Sequence, residues 1–192
     1  MSNGSKPQLQ IIIASTRPGR VGLPVGKWFE QCALDHGAFE VEVADLAEID
    51  LPFLDEPNHP SQQRYTKQHT LDWSARIAAS DAFVFVMPEY NHSYTAPLKN
   101  AIDYLVKEWG FKPIGLVSYG GISGGIRAVQ ALKPVLMGLQ MFVLKEAVVI
   151  QFVASLIEDD GTFQPTAAIA NSVKPMLDEL ARVNPVLKQL RK

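Results

Sequence analysis

The run Ala82-Phe83-Val84-Phe85-Val86-Met87 leads directly into Pro88-Glu89-Tyr90-Asn91. An almost wholly apolar run, with no polar residue alternating through it, is the pattern of a central strand covered on both faces. Working outward, 8–14 (QLQIIIA), 113–119 (PIGLVSY) and 142–152 (FVLKEAVVIQF) read as further strands, and the alternating 40–45 (EVEVAD) as an edge or near-edge strand. Helix-length amphipathic segments separate them at 23–36, 61–79, 96–106, 126–139 and 166–182. The second carries Leu71, Ala75, Ala78 and Ala79 on one stripe, with Ser61 as its expected cap. Pro97 suits the first turn of the third, where a missing N–H is harmless. Pro134 predicts a kink or early break in the fourth, and Pro175 the same in the last.

Strand and helix in strict alternation imply a parallel sheet with helices on both faces, joined by right-handed crossovers. The expected fold class is α/β: a three-layer doubly wound sandwich around a five-stranded parallel sheet of flavodoxin-like order 2-1-3-4-5. A dinucleotide-binding Rossmann sheet usually needs a sixth strand, and none is visible. The 192 residues fit a single domain over 1–192, with a core at 9–182 and a tail at 183–192 (VNPVLKQLRK) that is frayed or docked at an interface. The proline-rich stretch 50–60 (DLPFLDEPNHP) reads as a long ordered loop.

Composition narrows the function. With 47% hydrophobic and 20% charged residues, the chain is not a disordered one. A net charge of −2 offers no electrostatic reason for nucleic acid or an anionic membrane as main partner. Cys32 stands alone, so there is no intrachain disulfide and no multi-cysteine zinc site; the histidines lack H-E-x-x-H spacing, and no metal is expected. The N-terminal apolar run, Leu9 to Ala14, is too short for a signal-peptide core or a membrane span, which points to a soluble cytoplasmic protein.

In open parallel sheets, ligands sit beyond the carboxyl ends of the strands where the winding direction switches. The loops after Ala14, Met87 and Tyr119 should therefore meet. The first, Ser15-Thr16-Arg17-Pro18-Gly19-Arg20-Val21-Gly22, sets hydroxyls, guanidiniums and glycines around a helix N-terminus, a place that favours an anion. It is neither G-x-x-x-x-G-K-[ST] nor G-x-G-x-x-G. Ser15 and Thr16 can donate to phosphate oxygens and Arg17 can add a charge-assisted pair; a plain capped turn with solvent-facing arginines is the alternative. The second loop, from Pro88 to Asn100, offers the flat faces of Tyr90 and Tyr94 and the amide of Asn91, a set that suits a planar ring with polar edges. It can equally be a turn that caps a helix through Ser93 or Thr95. The third loop, Ser118-Tyr119-Gly120-Gly121-Ile122-Ser123-Gly124-Gly125, permits close backbone approach.

Together, Ser15-Thr16-Arg17, Pro88-Glu89-Tyr90-Asn91, Pro97-Leu98-Lys99-Asn100-Ala101-Ile102-Asp103, Lys112-Pro113, Ser118-Tyr119-Gly120-Gly121 and Gly124-Gly125-Ile126-Arg127-Ala128 resemble the NADPH-dependent FMN reductase family, which has a flavodoxin-like fold and includes azoreductases, quinone reductases and chromate reductases. The resemblance covers about 9–150. Where the family's first loop often reads G-S-x-R, Ala14 replaces the glycine here and Pro18 follows. The resemblance implies that Ser15 and Arg17 hold the FMN phosphate with backbone from Val21 and Gly22. It implies that Pro88, Glu89, Tyr90 and Asn91 line the isoalloxazine and ribityl chain, and that Ser118, Tyr119, Gly120 and Gly121 meet the ring's other edge. It further implies a homodimer or homotetramer, with Glu108, Trp109 and Arg127 as interface candidates, although Trp109 can equally lie inside its own chain.

The implied activity is transfer of hydride from NADPH or NADH through FMN to a small-molecule acceptor such as a quinone, azo compound, free flavin or metal oxyanion. No general base is needed for that step, so no catalytic proton-transfer residue is assigned; Arg20 and His92 are weak candidates for the nicotinamide cofactor's phosphates. The alternatives are a flavodoxin-type electron carrier, which the small net charge and basic first loop disfavour, and a non-flavin anion binder using 15–22 alone.

Overall fold

The computed structural model describes residues 6–191. Residues 1–5 and 192, which the single-domain reading includes, lie outside the described residues. Strand β3 (Ala82–Pro88) is buried along its whole length. Its side chains alternate between two separate cores: Phe83, Phe85 and Met87 enter one, and Ala82, Val84 and Val86 the other. Around it lie β1 (Gln8–Ile13), β2 (Glu40–Asp45), β4 (Pro113–Tyr119) and β5 (Phe142–Ile150). The five strands form one sheet in the order β2-β1-β3-β4-β5, every pair parallel. This is the flavodoxin-like order that the alternation of strand and helix implied.

Helices α1 (Gly22–His36) and α6 (Ala167–Lys188) cover one face through Val25, Phe29, Met176 and Leu177. The short α2 (Leu46–Ile49), with α3 (Gln68–Ala79), α4 (Ala96–Asp103) and α5 (Ile126–Gly138), covers the other through Leu46, Trp73, Ile77, Leu98, Ile102 and Leu132. No helix among the described residues is long and apolar enough to cross a membrane.

Several local expectations are corrected. Helix α3 begins at Gln68 and not at 61, because Pro60–Gln62 close a separate 3-10 turn ended by Gln63 at φ 52°. The Glu56 carboxylate, rather than Ser61, meets the helix start by accepting from the backbone N–H groups of Thr66 and Lys67. The buried face of α3 is Thr70, Trp73 and Ile77, while Leu71 is 45% exposed. The Trp73 indole takes the core side and donates to the Ala101 carbonyl at 2.8 Å. Helix α5 runs unbroken through Pro134, which is exposed together with Gln130, so the missing hydrogen bond falls on the wet side. Helix α6 likewise continues through Pro175 and Pro185 to Lys188. Beyond it, Arg191 donates to the carboxylate and carbonyl of Asp81 and to the Phe111 carbonyl, docking the C-terminal segment on its own chain.

Glu108 and Trp109 are interior residues and not interface ones. Trp109 is fully buried against Trp73, Phe83 and Phe85, with ring centroids 6.2, 5.1 and 6.1 Å away. Glu108 accepts from the Tyr65 and Ser74 hydroxyls, both at 2.8 Å, and from the Gln63 amide at 3.2 Å. It thereby fastens the long loop after α2 to the body of the fold.

Candidate functional site

The three strand-end segments converge. The Ala14 backbone N–H donates to Val86 O at 2.9 Å, and the Glu89 N–H donates to Tyr119 O at 3.1 Å. Thr95 completes the junction: its hydroxyl donates to Ala14 O at 2.8 Å and accepts from the Leu98 N–H at the start of α4. One threonine thus caps a helix and pins it to the end of β1, and only the capping half of that role was legible in the sequence.

The first segment presents an open helix N-terminus. Val21 sits at the N-cap of α1 and gives no side-chain cap, and the first turn holds no acidic residue. Its first N–H groups are therefore available to an anion, on the positive end of a fifteen-residue helix. Ser15 is fully buried and its Oγ makes no hydrogen bond to any described residue; the same holds for Tyr119 Oη, on a residue only 3% exposed. Both atoms crowd Gly22, where an added Cβ would lie 2.2 Å from Ser15 Oγ and 2.3 Å from Tyr119 Oη. Arg17 is exposed on the same turn, which closes through Arg20 N–H donating to Arg17 O. Orphaned buried hydroxyls, an uncapped helix start and an exposed guanidinium fit a phosphate-bearing cofactor.

Arg20 is placed differently from its candidate role. Its guanidinium grips Asp45 through both nitrogens and donates to the Ser15 carbonyl at 2.6 Å, so it braces the loop against the end of β2. The hydrogen bond with Asp45 raises its already high pKa, against the opposing effect of burial. A guanidinium held in this way is not free for a nicotinamide cofactor.

In the second segment, Tyr90 and Ser93 exchange backbone hydrogen bonds at 2.9 and 3.0 Å around Asn91 and His92, which have φ of 48° and 67°. Positive φ at both central residues defines a tight turn that asparagine tolerates better than most residues. Tyr90 is 40% exposed at its edge, and Pro88 is buried at the end of β3.

The Glu89 side chain is engaged within the chain itself. The carboxylate is turned to the third segment, accepting from Ser123 Oγ at 2.9 Å, the Arg127 backbone N–H at 3.0 Å and the Arg127 guanidinium at 2.8 Å. It caps α5 and locks the second segment to the third. Burial opposes its charge, but the Ser123 and Arg127 donors outweigh burial and hold the pKa below the ordinary carboxylate value. Replacing it, Glu89→Ala, is expected to destabilise the fold by about 2 kcal/mol. The depressed pKa makes the clamp complete above the ordinary carboxylate value and lost as pH falls through the lowered one. The stability gap between wild type and variant in urea unfolding should therefore narrow in acid; a gap that stays constant down to low pH would show that the ionised carboxylate does no clamping.

The third segment folds back through Gly124 and Gly125, at φ 58° and 85°. A Cβ at Gly125 would lie 2.8 Å from the Tyr119 backbone nitrogen, so the glycine serves both the left-handed conformation and the close approach. The carbonyls of Gly120 and Gly121 are held by the N–H groups of Val153 and Phe152, and the space a Gly121 side chain would fill is open. Ser118 is buried and donates to Gly124 O at 2.8 Å, so its hydroxyl shapes the glycine turn.

Two further motif residues, Asn100 on α4 and Lys112 before β4, hold structure. Asn100 donates to Pro52 O at 2.6 Å and accepts from the Leu54 N–H, fixing the proline-rich stretch. The Lys112 ammonium donates to Ile77 O and Ala78 O at the end of α3, and burial lowers its pKa to about 8. Beside the first segment, a cleft of about 350 Å³ is lined by Thr16, Leu46, Leu51, Phe53, Pro97 and Asn100 among others.

The doubly wound sheet and the three-segment junction at its switch point define a flavodoxin-like domain. The chain belongs to the NADPH-dependent FMN reductase family, whose sequence pattern matches residues 7–155. It is an oxidoreductase that works with FMN and NAD(P)H. An NAD(P)H-dependent FMN reductase of Nectria sp. is 31% identical over 196 residues, covering 95% of this chain and 98% of the relative. An NAD(P)H-dependent FMN reductase of Schizosaccharomyces pombe is 41% identical over 126 residues, which span 65% of this chain and 63% of that one. Among solved structures, FerB, a flavoenzyme NAD(P)H:(acceptor) oxidoreductase from Paracoccus denitrificans, shares the fold at a TM-score of 0.72 and 24% identity, covering 92% of this chain and 96% of that one. Other matches carry the names NADPH azoreductase and NAD(P)H:quinone oxidoreductase.

Proposed function

We propose that this protein passes hydride from NAD(P)H, by way of FMN, to a small acceptor: a quinone, an azo compound, free flavin or a metal oxyanion. The observation that carries the reading is the open start of α1, with buried, unpartnered hydroxyls beside it, at the point where three strand-end segments meet. FMN, when bound, supplies the hydride chemistry itself. The chain's own residues bind and orient. Ser15, Arg17 and the backbone of Val21 and Gly22 receive the phosphate. Pro88, Tyr90 and Asn91 line the ribityl chain and one side of the ring, with Glu89 holding that segment in place. The backbone of Ser118, Tyr119, Gly120 and Gly121 faces the other edge. The names of azoreductase and quinone oxidoreductase relatives support a small-molecule acceptor.

The whole chain reads as one domain, and the protein as a cytoplasmic homodimer or homotetramer. Exposed apolar residues around the glycine loop, Ile122, Ile126 and Phe152, support association there, with Arg127 beside them. The free thiol of Cys32 fits a reducing compartment.

The test is an absorbance spectrum of the purified protein saturated with FMN, followed by NADPH or NADH under nitrogen. Rapid bleaching of the bound flavin, with colour returning on addition of a quinone, is expected. Tight FMN binding without bleaching by either nucleotide would identify an electron carrier instead.

A further inference from the structure

We propose that the cleft between Thr16 and the loop after α2 receives the adenosine end of the nicotinamide cofactor, and that the Asp50 carboxylate there favours NADH over NADPH. The inference rests on the FMN reading above. The cleft holds about 350 Å³ between apolar walls, Leu51 and Phe53 from the loop and Pro97 and Ala101 from α4. Ligand pockets run from roughly 300 to 1,000 Å³, so this one suits a nucleoside rather than a whole dinucleotide. Asp50 follows β2, which pairs with β1 on the side away from β3, whereas the glycine turn assigned to the ring's edge follows β4 on the other side of β1. A quinone or azo acceptor has to reach the ring and gains nothing by sitting here. A dinucleotide whose nicotinamide lies against the ring carries its adenosine a pyrophosphate's length away, and the cleft adjoins the first segment through Thr16.

The loop wall is fastened. Pro52 O accepts from the Asn100 amide at 2.6 Å and from the Tyr104 hydroxyl at 3.0 Å, and Asn100 Oδ1 accepts from the Leu54 N–H at 3.0 Å. The Asp55 carboxylate meets the His69 ring at 2.9 Å and the Tyr104 hydroxyl at 3.2 Å. These bonds hold Phe53 beside an apolar hollow with 84% of its surface exposed. A ring presented in this way suits the stacking of a flat base. The Asn100 amide is spent on the loop, which leaves Asp50 and Thr16 as the cleft's exposed polar side chains, neither hydrogen-bonded to a described residue. Asp50 ends α2 in the left-handed conformation at φ 47°. A carboxylate only accepts, so its partner must donate, as the paired hydroxyls of a ribose do. Dinucleotide-binding sheets use an acidic side chain on those hydroxyls for NAD and an arginine for the 2′-phosphate of NADP. Among the described residues no lysine or arginine lines this cleft. A 2′-phosphate would meet the Asp50 charge with nothing to offset it.

The test follows flavin bleaching in the FMN-loaded protein under nitrogen, at varied nucleotide concentration. The probes are NADH, NADPH and reduced nicotinamide mononucleotide, which lacks the adenosine half. Wild type, Asp50→Asn and Phe53→Ala are compared, with melting curves confirming that each is folded; asparagine tolerates the left-handed backbone at position 50 as aspartate does. The half-saturating concentration of NADH is expected to lie about tenfold below that of NADPH in the wild type, and Asp50→Asn should bring the two within about threefold. Phe53→Ala should raise both about fivefold through the lost aromatic stack. The limiting bleaching rate, and the response to the mononucleotide, should stay within about twofold in both variants. A wild type that does not favour NADH, or an Asp50→Asn variant with an unchanged ratio, would overturn the proposal. Equal shifts for the mononucleotide and the dinucleotides would also overturn it, placing the effect at the ring. So would loss of assembly on sedimentation in Phe53→Ala with nucleotide affinities unchanged, which would show the cleft to be covered by a second copy. A wild type whose bound flavin none of the three nucleotides bleaches would overturn the FMN reductase reading itself, a result distinct from all of these.

Discussion

Gly22→Ala is expected to lower FMN affinity by about a hundredfold or more while leaving a folded protein. The added methyl would lie 2.2 Å from Ser15 Oγ and 2.3 Å from Tyr119 Oη, well inside contact distance. Ser15 is fully buried and Tyr119 nearly so, which leaves neither hydroxyl an open direction in which to retreat. The strain is relieved most easily by moving the start of α1 away from the end of β1. On the proposed reading, in which the start of α1 receives the phosphate, a displacement of about 1 Å at this positioning element is enough for losses of this order. Fluorescence titration with FMN measures the effect, and a thermal melt checks the fold. Affinity retained within about threefold, in a folded variant, would mean that the start of α1 does not hold the cofactor.

Trp109→Ala is expected to destabilise the protein by about 3–5 kcal/mol. The indole is fully buried in a cluster with Trp73, Phe83 and Phe85, and its N–H donates to Ile102 O at 3.2 Å. Removing it opens a cavity under the centre of the sheet, while the Ile102 carbonyl keeps the Leu105 N–H as a donor. For a chain of this size the melting temperature should fall by roughly 10 °C. Urea unfolding gives the free energy and sedimentation gives the assembly state. Destabilisation below about 1 kcal/mol, accompanied by dissociation into monomers, would instead return Trp109 to a subunit interface.

The parts of the site that were legible share one property: they depend on local chemistry. The apolar run of β3, the strand-end position of Ser15 and the glycines after Tyr119 each carry their meaning in a few neighbouring residues. Gly125 needs its left-handed backbone, and its type already says so. The parts that were not legible depend on a partner distant in the chain. Glu89 is expected among the ring-lining residues, and only the fold shows that Arg127, 38 positions away, claims its carboxylate. Arg20 looks free until Asp45, 25 positions away, takes both guanidinium nitrogens. In α3 the alanine-rich stripe competed with Trp73 and Ile77 for the core, and the larger apolar surfaces took it.

The order of residues alone determined the alternation of strand and helix, hence a parallel sheet, its winding and the end of it where a ligand belongs, because hydrophobic period and crossover handedness act over one element at a time. The folded chain decided which side chains at that end remain free. Burial and long-range hydrogen bonds spend Glu89, Arg20 and Thr95 on holding the segments together, and leave Ser15 and Tyr119 side by side at Gly22 with hydroxyls unclaimed. That division is set by distances between elements, which no local pattern encodes.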